Sequence, residues 1–311
     1  MEIIKKILSV GVLLSASAVA VADSAHIWLE RMNTAVHKSS YEGRFVYQVG
    51  DKLDSLYLIH RVHNGEEKER LIVLNGPSRE VVRNHQAVAV LKPGEKAIHA
   101  GTRRKASPFV RLQPLASEQV DKSYDFALLD GSRVAGRESV EIRIKPKDSL
   151  RYGYHLFIDK QSYLPLRSIM VDEHANTLSQ MMFVDLEVGD SVTTIEHDHS
   201  RLNCARGHAA PMEPVDTQSR WSFSDVPPGF VMSVYRASTK DDMIEHFVYS
   251  DGLASISIYV EPLDETGFEG VSRMGATHAV SINRNAHQLT AVGEAPIATL
   301  KYFLNSVEYR E

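Results

Sequence analysis

Cysteine is nearly absent from this 311-residue chain: Cys204 stands alone. No disulfide can form within the molecule, so any bridge would have to join two copies. Long apolar runs are missing beyond the first 22 residues, and nothing there approaches the roughly 18 consecutive apolar residues that read as a membrane-spanning helix. A basic excess is missing too. With 35 Lys and Arg against 40 Asp and Glu, the formal charge is −5, the wrong sign for a surface that must neutralise phosphates, which argues against nucleic acid. Glycine-rich phosphate loops of the G-x-G-x-x-G or Walker type do not occur. The nearest approach to a nucleophile elbow, Gly270, Ser272 and Gly275, spells GxSxxG without the strand–turn–helix setting that lifts a serine above a sheet.

What is present begins with an export signal. Lys5 and Lys6 precede the apolar run ILSVGVLLSASAVAVA, and Ala20 and Ala22 fit the small-x-small rule for cleavage. Residues 1–22 are therefore expected to be a cleaved signal peptide. Its removal takes away Lys5, Lys6 and Glu2 and leaves a formal charge of −6. Apolar residues at 43% and charged ones at 24% suit a soluble protein in the exported compartment. The length is comfortable for two domains, each burying a core.

Past the signal, Leu29, Met32 and Val36 fall on one face of a helix that Asp23 or Ser24 can cap. The period then changes from helical to alternating. FVYQV (45–49), LYLIHRV (56–62), RLIVL (70–74), EVVR (80–83) and AVAVL (87–91) are β-branched and aromatic runs separated by turn-rich Gly, Asn and Asp. They predict an antiparallel meander. Residues 103–125 interrupt it as loops with short helices, and strands resume from Arg133. There Val140, Ile142 and Ile144 alternate with Glu141, Arg143 and Lys145, sending one set to a core and the other to water. After the turn around Pro146, Tyr152, Tyr154, Leu156 and Ile158 repeat the period, so the two runs form a hairpin. Eight to ten such strands suffice to curl into a barrel or half-barrel. Composition shifts between Leu202 and Gln218, the best boundary. Beyond it lie further strands, a polar connection, and a terminal helix with Pro296 near its start and Ile297, Leu300, Leu304 and Val307 on one face.

Candidate chemistry is sparse. His197, His199, Cys204 and His208 offer four potential zinc ligands, but they sit where a strand runs into a linker and lack the paired spacing of a closed site. No metal and no cofactor are expected. The acidic pairs Glu66–Glu67, Asp172–Glu173 and Asp241–Asp242 read as solvated turns rather than acid–base groups. Arg103, Arg104 and Lys105 form the densest basic cluster and could hold an anionic head group. Phe45, Tyr47, Leu58 and Tyr154 could line a lipid groove if the barrel is open.

Several motifs in order carry a resemblance. The hairpin RVAGRESVEIRIKPKDSLRYGYHLFID (133–159), the opening LERMNTAVHKSSYEGRFVYQV, the run GEEKERLIVLNGPSREVVR, and the later PPGF (227–230), YSDGLASISIYVE (249–261) and VGEAP (292–296) closely resemble the RseB/MucB family of periplasmic regulators of the envelope-stress sigma factor. Some members carry a cysteine before the proline loop that follows Val88; AVLKPGEK has none, which puts a redox role there in doubt.

The resemblance implies a mainly β protein. Residues 23–202 would form an open antiparallel β-barrel of the LolA type covered by helices, 203–216 a linker, and 217–311 a smaller α+β domain that binds the partner. It implies a non-enzymatic negative regulator that binds the periplasmic segment of a transmembrane anti-sigma factor of the RseA/MucA type. That segment is shielded from site-one proteolysis until lipopolysaccharide or lipoprotein acyl chains release it; a homodimer is a further expectation. On this view Arg236, Tyr249 and Asp251 would face the partner. The alternative is a lipid or lipoprotein carrier that uses the same barrel.

Overall fold

The computed structural model describes residues 25–84, 88–91, 98–99, 118–194, 219–237, 244–264 and 267–310. The first element is helix α1, residues 25–38. Ala25, Leu29, Met32 and Ala35 recur at helical spacing and are all buried, so α1 presents one continuous apolar face.

Strands β1 (Tyr41–Val49), β2 (Lys52–His63), β3 (Glu66–Val73), β4 (Glu80–Asn84), β5 (Val88–Leu91) and β6 (Ile98–His99) run as an antiparallel meander. Helix α2 (Glu118–Ser123) then leads into β7 (Tyr124–Asp130), β8 (Ser139–Pro146), β9 (Gly153–Asp159), β10 (Pro165–Val171), β11 (Thr177–Phe183) and β12 (Glu187–Val188). One sheet holds all twelve, in the order β6-β5-β4-β3-β2-β1-β11-β10-β9-β8-β7, with β12 also on β1. Among the described residues the two edges, β6 and β7, do not pair, so the sheet is open and not a closed barrel.

Register explains the core. Val140, Ile142 and Ile144 of β8 lie opposite Ile158, Leu156 and Tyr154 of β9, and all six are buried. They meet Leu29 and Met32 of α1 in one cluster, where each such side chain contributes roughly 1.5–3 kcal/mol. A one-residue slip would turn this whole set to the other face. Glu141 departs from the simple alternation: it was expected in water but is only 8% exposed. Arg143 and His155 cover its carboxylate at 2.6 and 3.1 Å.

The smaller unit contains β13 (Trp221–Phe223), β14 (Val231–Ala237), β15 (Glu245–Ser250), β16 (Ser255–Pro262), β17 (Gly270–Met274), β18 (Thr277–Arg284), β19 (His287–Gly293), helix α3 (Ile297–Asn305) and β20 (Val307–Tyr309). Six of them form an antiparallel sheet ordered β14-β15-β16-β19-β18-β17, while β13 pairs with β20. Leu300, Phe303 and Leu304 of α3 pack on Ile256, Ile258, Val280, Leu289 and Ala291. Strand β7, the β17–β18 hairpin and β20 are not apparent in the sequence pattern. In particular, residues 263–286 read as a polar connection because β17 is an edge strand with exposed residues on both faces.

Candidate functional site

The four residues expected to line an open groove mostly lie under α1. Phe45 and Leu58 are fully buried in a cluster with Ala35 of α1, and Phe45 meets the edge of Phe183 at 5.6 Å. Tyr154 is buried beside Leu29 and Met32. Tyr47 alone is half-buried. At these positions the expected groove is occupied by the chain's own helix, because α1 supplies the apolar face that the curved sheet requires. A cleft of about 550 Å³ lies along the outer side of α1, walled by apolar Ile27, Ala35 and Tyr163 together with Glu30, Arg31 and Lys38. Arg103, Arg104 and Lys105 lie outside the described residues, as do His197, His199, Cys204 and His208.

Two of the three residues expected to face a partner are also buried. Tyr249 packs between Phe223 and Phe303 at about 5 Å from each, inside the smaller unit. Arg236 sits half-buried on β14. Asp251 is 2% exposed and points at the larger sheet, not at solvent.

Asp251 organises the seam between the two units. It caps the turn after β15, where its Oδ1 accepts the backbone N–H groups of Leu253 and Ala254 at 2.9 and 2.7 Å, the usual Asx arrangement. Its Oδ2 accepts the Tyr124 hydroxyl and Arg151 Nη1, each at 2.8 Å. The Arg151 side chain is completely buried. Its Nε donates to Asp148 at 3.0 Å and its Nη2 to the Pro228 carbonyl at 2.6 Å. The guanidinium plane stacks over Tyr124 and Phe230, 5.4 and 5.2 Å from their centroids. All four carboxylate bonds and all three guanidinium nitrogens are thus engaged, as burial demands. Burial pushes the Tyr124 phenol well above its ordinary range, and the Asp251 charge pushes in the same direction.

Other contacts extend the seam. Thr299 of α3 donates to the Leu150 carbonyl at 2.6 Å. Tyr152 approaches Nδ1 of His278 at 3.3 Å, and burial raises its phenol to about 12. At the β17–β18 turn, Ala276 is buried within the core of the larger unit. Gly275, at φ +62°, meets Val49 where a side chain would collide. Gly229 against Ser123 and Gly252 against Val120 likewise leave no room for a side chain. The sequence reading places Asp251 on a partner-facing surface and not in a seam, and nothing in the pattern marks Arg151 as buried or Tyr124 as its neighbour.

A second polar cluster lies inside the larger unit, where α1 ends on β1–β4. His60 is 1% exposed, stacks on Tyr41 at 4.7 Å and donates from Nδ1 to the Ser39 carbonyl at 2.9 Å. Glu69, directly across from His60, holds Arg83 at 2.7 Å. Glu67 reaches His37 at 3.3 Å. Among the described residues no group of three or more His, Cys, Asp or Glu side chains is arranged to hold a metal, and no helix is long and apolar enough to cross a membrane.

Comparison with known proteins follows the two units. Residues 24–202 match the MucB/RseB N-terminal domain, and residues 215–308 match the MucB/RseB C-terminal domain. The chain is 30% identical to the sigma factor AlgU regulatory protein MucB of Pseudomonas aeruginosa, over 94% of this chain and 93% of that one. It is 28% identical to the sigma-E factor regulatory protein RseB of Escherichia coli K12, over 96% and 95%. Among solved structures, the MucA/MucB complex of Pseudomonas aeruginosa superposes with a TM-score of 0.69 at 28% identity, covering 93% of this chain and 99% of that one. Another solved relative is MucB in complex with MucA(peri), with a TM-score of 0.68 at 29% identity.

Proposed function

The chain belongs to the MucB/RseB family, and from that premise we propose that it is a non-enzymatic periplasmic regulator that binds the periplasmic segment of an anti-sigma factor and shields it from the first protease. The observation that carries this reading is agreement through both units at once, with relatives solved while bound to MucA. Such a segment is long and largely extended, and capture on sheet edges and in the seam suits it. A plain lipid carrier would need only the larger sheet; it would have no use for a smaller unit tied down by Arg151, Thr299 and Ala276.

Release follows from linkage: a ligand that favours the partner-free arrangement lowers affinity for the anti-sigma segment by the same factor. The test incubates purified protein with the periplasmic segment of the host's anti-sigma factor and its site-one protease. Cleavage should slow at least about tenfold at saturating regulator, the effect of a 1.4 kcal/mol difference. Equal cleavage with and without the protein would refute the shielding role.

A further inference from the structure

We propose that the outer groove of α1 is a docking site for a short acidic segment of another protein, held as a polyproline II chain with two carboxylates three residues apart. The cleft of about 550 Å³ there falls within the size range of ligand pockets. Its α1 wall consists of two rows, each at a spacing of four residues. Ile27, Arg31 and Ala35 make one row, and Glu30, Thr34 and Lys38 make the other. The opposite wall is the turn between β9 and β10. There the Tyr163 hydroxyl accepts a bond from Arg31 Nη1 at 3.1 Å, and the guanidinium lies 5.2 Å from the ring centroid.

The Tyr163 wall is strained. Its backbone stands at φ +60°, in the left-handed region that bulky side chains avoid. Buried Asp159 holds it there: the Tyr163 N–H donates to the Asp159 carbonyl at 3.0 Å, while Ser162 N and Oγ donate to its carboxylate at 2.9 and 2.6 Å. Arg137 fixes the same carboxylate oxygen at 2.8 Å. Strain maintained by a surrounding network marks a position with a task beyond folding. Backed by Trp28 at 5.2 Å, the ring gives the groove a rigid aromatic side, the feature against which polyproline II chains dock.

The charges in the groove name the ligand. Among the described residues no carboxylate lies within ion-pair distance of Arg31 or Lys38, and no cation lies that close to Glu30. Arg31 and Lys38 are two helical turns apart on one face, about 10.5 Å along the axis. A polyproline II chain repeats every three residues and advances about 9.3 Å in doing so. Carboxylates at i and i+3 therefore point the same way and meet both cations. A β-strand covers a similar distance but sends i and i+3 to opposite faces. Ile27, 48% exposed, lies about 6 Å before Arg31, which places an apolar residue two positions from the first carboxylate. Glu30 repels an acid at that end, so register is set by repulsion as well as attraction.

The inference does not rest on the regulatory reading, and its test contains neither the anti-sigma segment nor the protease. Fluorescently labelled peptides capped at both ends are titrated with the purified protein and read by anisotropy. The probe is LPEPPEP, with its reversal PEPPEPL because the groove does not fix chain direction. The controls are the uncharged LPQPPQP and the spacing isomer LPEPEPP with its reversal, which keep the composition and move one acid. One of the two probes should bind with a Kd below about 1 mM. It should bind at least about fivefold tighter than its spacing isomer, the effect of one well-placed exposed ion pair, and its affinity should fall as salt is added.

Arg31→Gln and Lys38→Gln replace exposed residues, so the fold should survive both. Each should weaken the probe about fivefold and erase its advantage over the isomer, whereas Glu30→Gln should tighten it. Tyr163→Gly suits the left-handed turn and deletes the wall; affinity should fall while the far-ultraviolet spectrum holds. No binding by either probe below about 1 mM, equal affinity for probe and spacing isomer, or unchanged binding in Arg31→Gln and Lys38→Gln would each overturn the proposal.

Discussion

Two of the charge clusters buried among the described residues differ in what would relieve them. In one, Glu69 and Arg83 pair on neighbouring strands β3 and β4 beneath α1, with His60 and Tyr41 stacked alongside. Every member belongs to the same unit, so Tyr41, His60 and Glu69 are fully hydrated only when that unit itself opens. In the other, Asp148, Arg151 and Tyr124 belong to the larger unit while Asp251 and Pro228 belong to the smaller. Parting the units rehydrates that cluster with both sheets intact. Similar chemistry therefore serves a permanent core in one place and a joint in the other.

The largest expected effect tests the permanent half of this contrast. Glu69→Ala leaves the Arg83 guanidinium without the carboxylate it holds at 2.7 Å, and burial is already the main force raising the Glu69 pKa. Stability of the larger unit should fall by about 3 kcal/mol, as for other broken buried pairs, read as the denaturant midpoint of its transition. A loss below about 0.5 kcal/mol, the size of an ordinary surface substitution, would mean that this cluster is effectively solvated and the contrast is false.

Asp251→Ala comes next. It removes a carboxylate that accepts four hydrogen bonds, yet the abandoned Arg151 can reach water by opening the seam. The unfolding loss should therefore stay near 1–2 kcal/mol, smaller than for Glu69→Ala. Hydrogen exchange at Tyr124 and Leu150, in contrast, should accelerate while the inner strands β8 and β9 stay protected. Uniform acceleration across the larger sheet would show that the seam and the core open as one.

The fold was largely legible in the sequence, and the seam was not. Alternation at Val140, Ile142 and Ile144 against Tyr154, Leu156 and Ile158 predicted a hairpin, and these residues pair in the register of β8 and β9. Periodicity reports which face of an element is apolar; it does not report what covers that face. Phe45, Leu58 and Tyr154 were consequently read as groove walls, although α1 lies across them. Arg151 follows the same logic in reverse. An arginine after PKDS looks solvated, and only the distant turn at Asp251, 100 residues on, makes it the largest fully buried side chain. Charge burial across such a span leaves no local pattern to read.

Tyr124→Phe separates the two donors that meet on Asp251. It removes one hydroxyl bond to Asp251 and leaves Arg151 in place. The cost should be about 1 kcal/mol, appearing as a modest gain in the population with the seam open and not as a loss of the larger unit's own stability. If instead the denaturant midpoint of the larger unit falls as far as in Glu69→Ala, Tyr124 belongs to the permanent core and the joint begins elsewhere.

The smallest effect is on pH, and it belongs to the permanent cluster. Burial is the main force lowering the His60 pKa; Arg83 and His37 push the same way, while the Ser39 carbonyl and Glu67 oppose them. The folded value thus lies below the unfolded one, near 6.5, so the unfolded chain binds the extra proton first. His60 then contributes stability that is complete above about pH 6.5 and is lost as pH falls toward the folded value. Glu69 carries the opposite sign: its raised pKa favours the folded state below the unfolded carboxylate value and loses that benefit as pH rises through the folded one. Tyr41 is held protonated by burial and adds nothing in this window. Comparing wild type with His60→Gln cancels the Glu69 contribution, which both proteins share, and Gln can still donate to the Ser39 carbonyl. The wild-type melting temperature should drop more than that of His60→Gln between about pH 7.5 and 5.5, a window that brackets the unfolded histidine value. Parallel profiles would show that His60 accepts its proton in place, through the 3.8 Å gap between its Nε2 and Glu67, and that the cluster under α1 can change charge without unfolding, as the seam can.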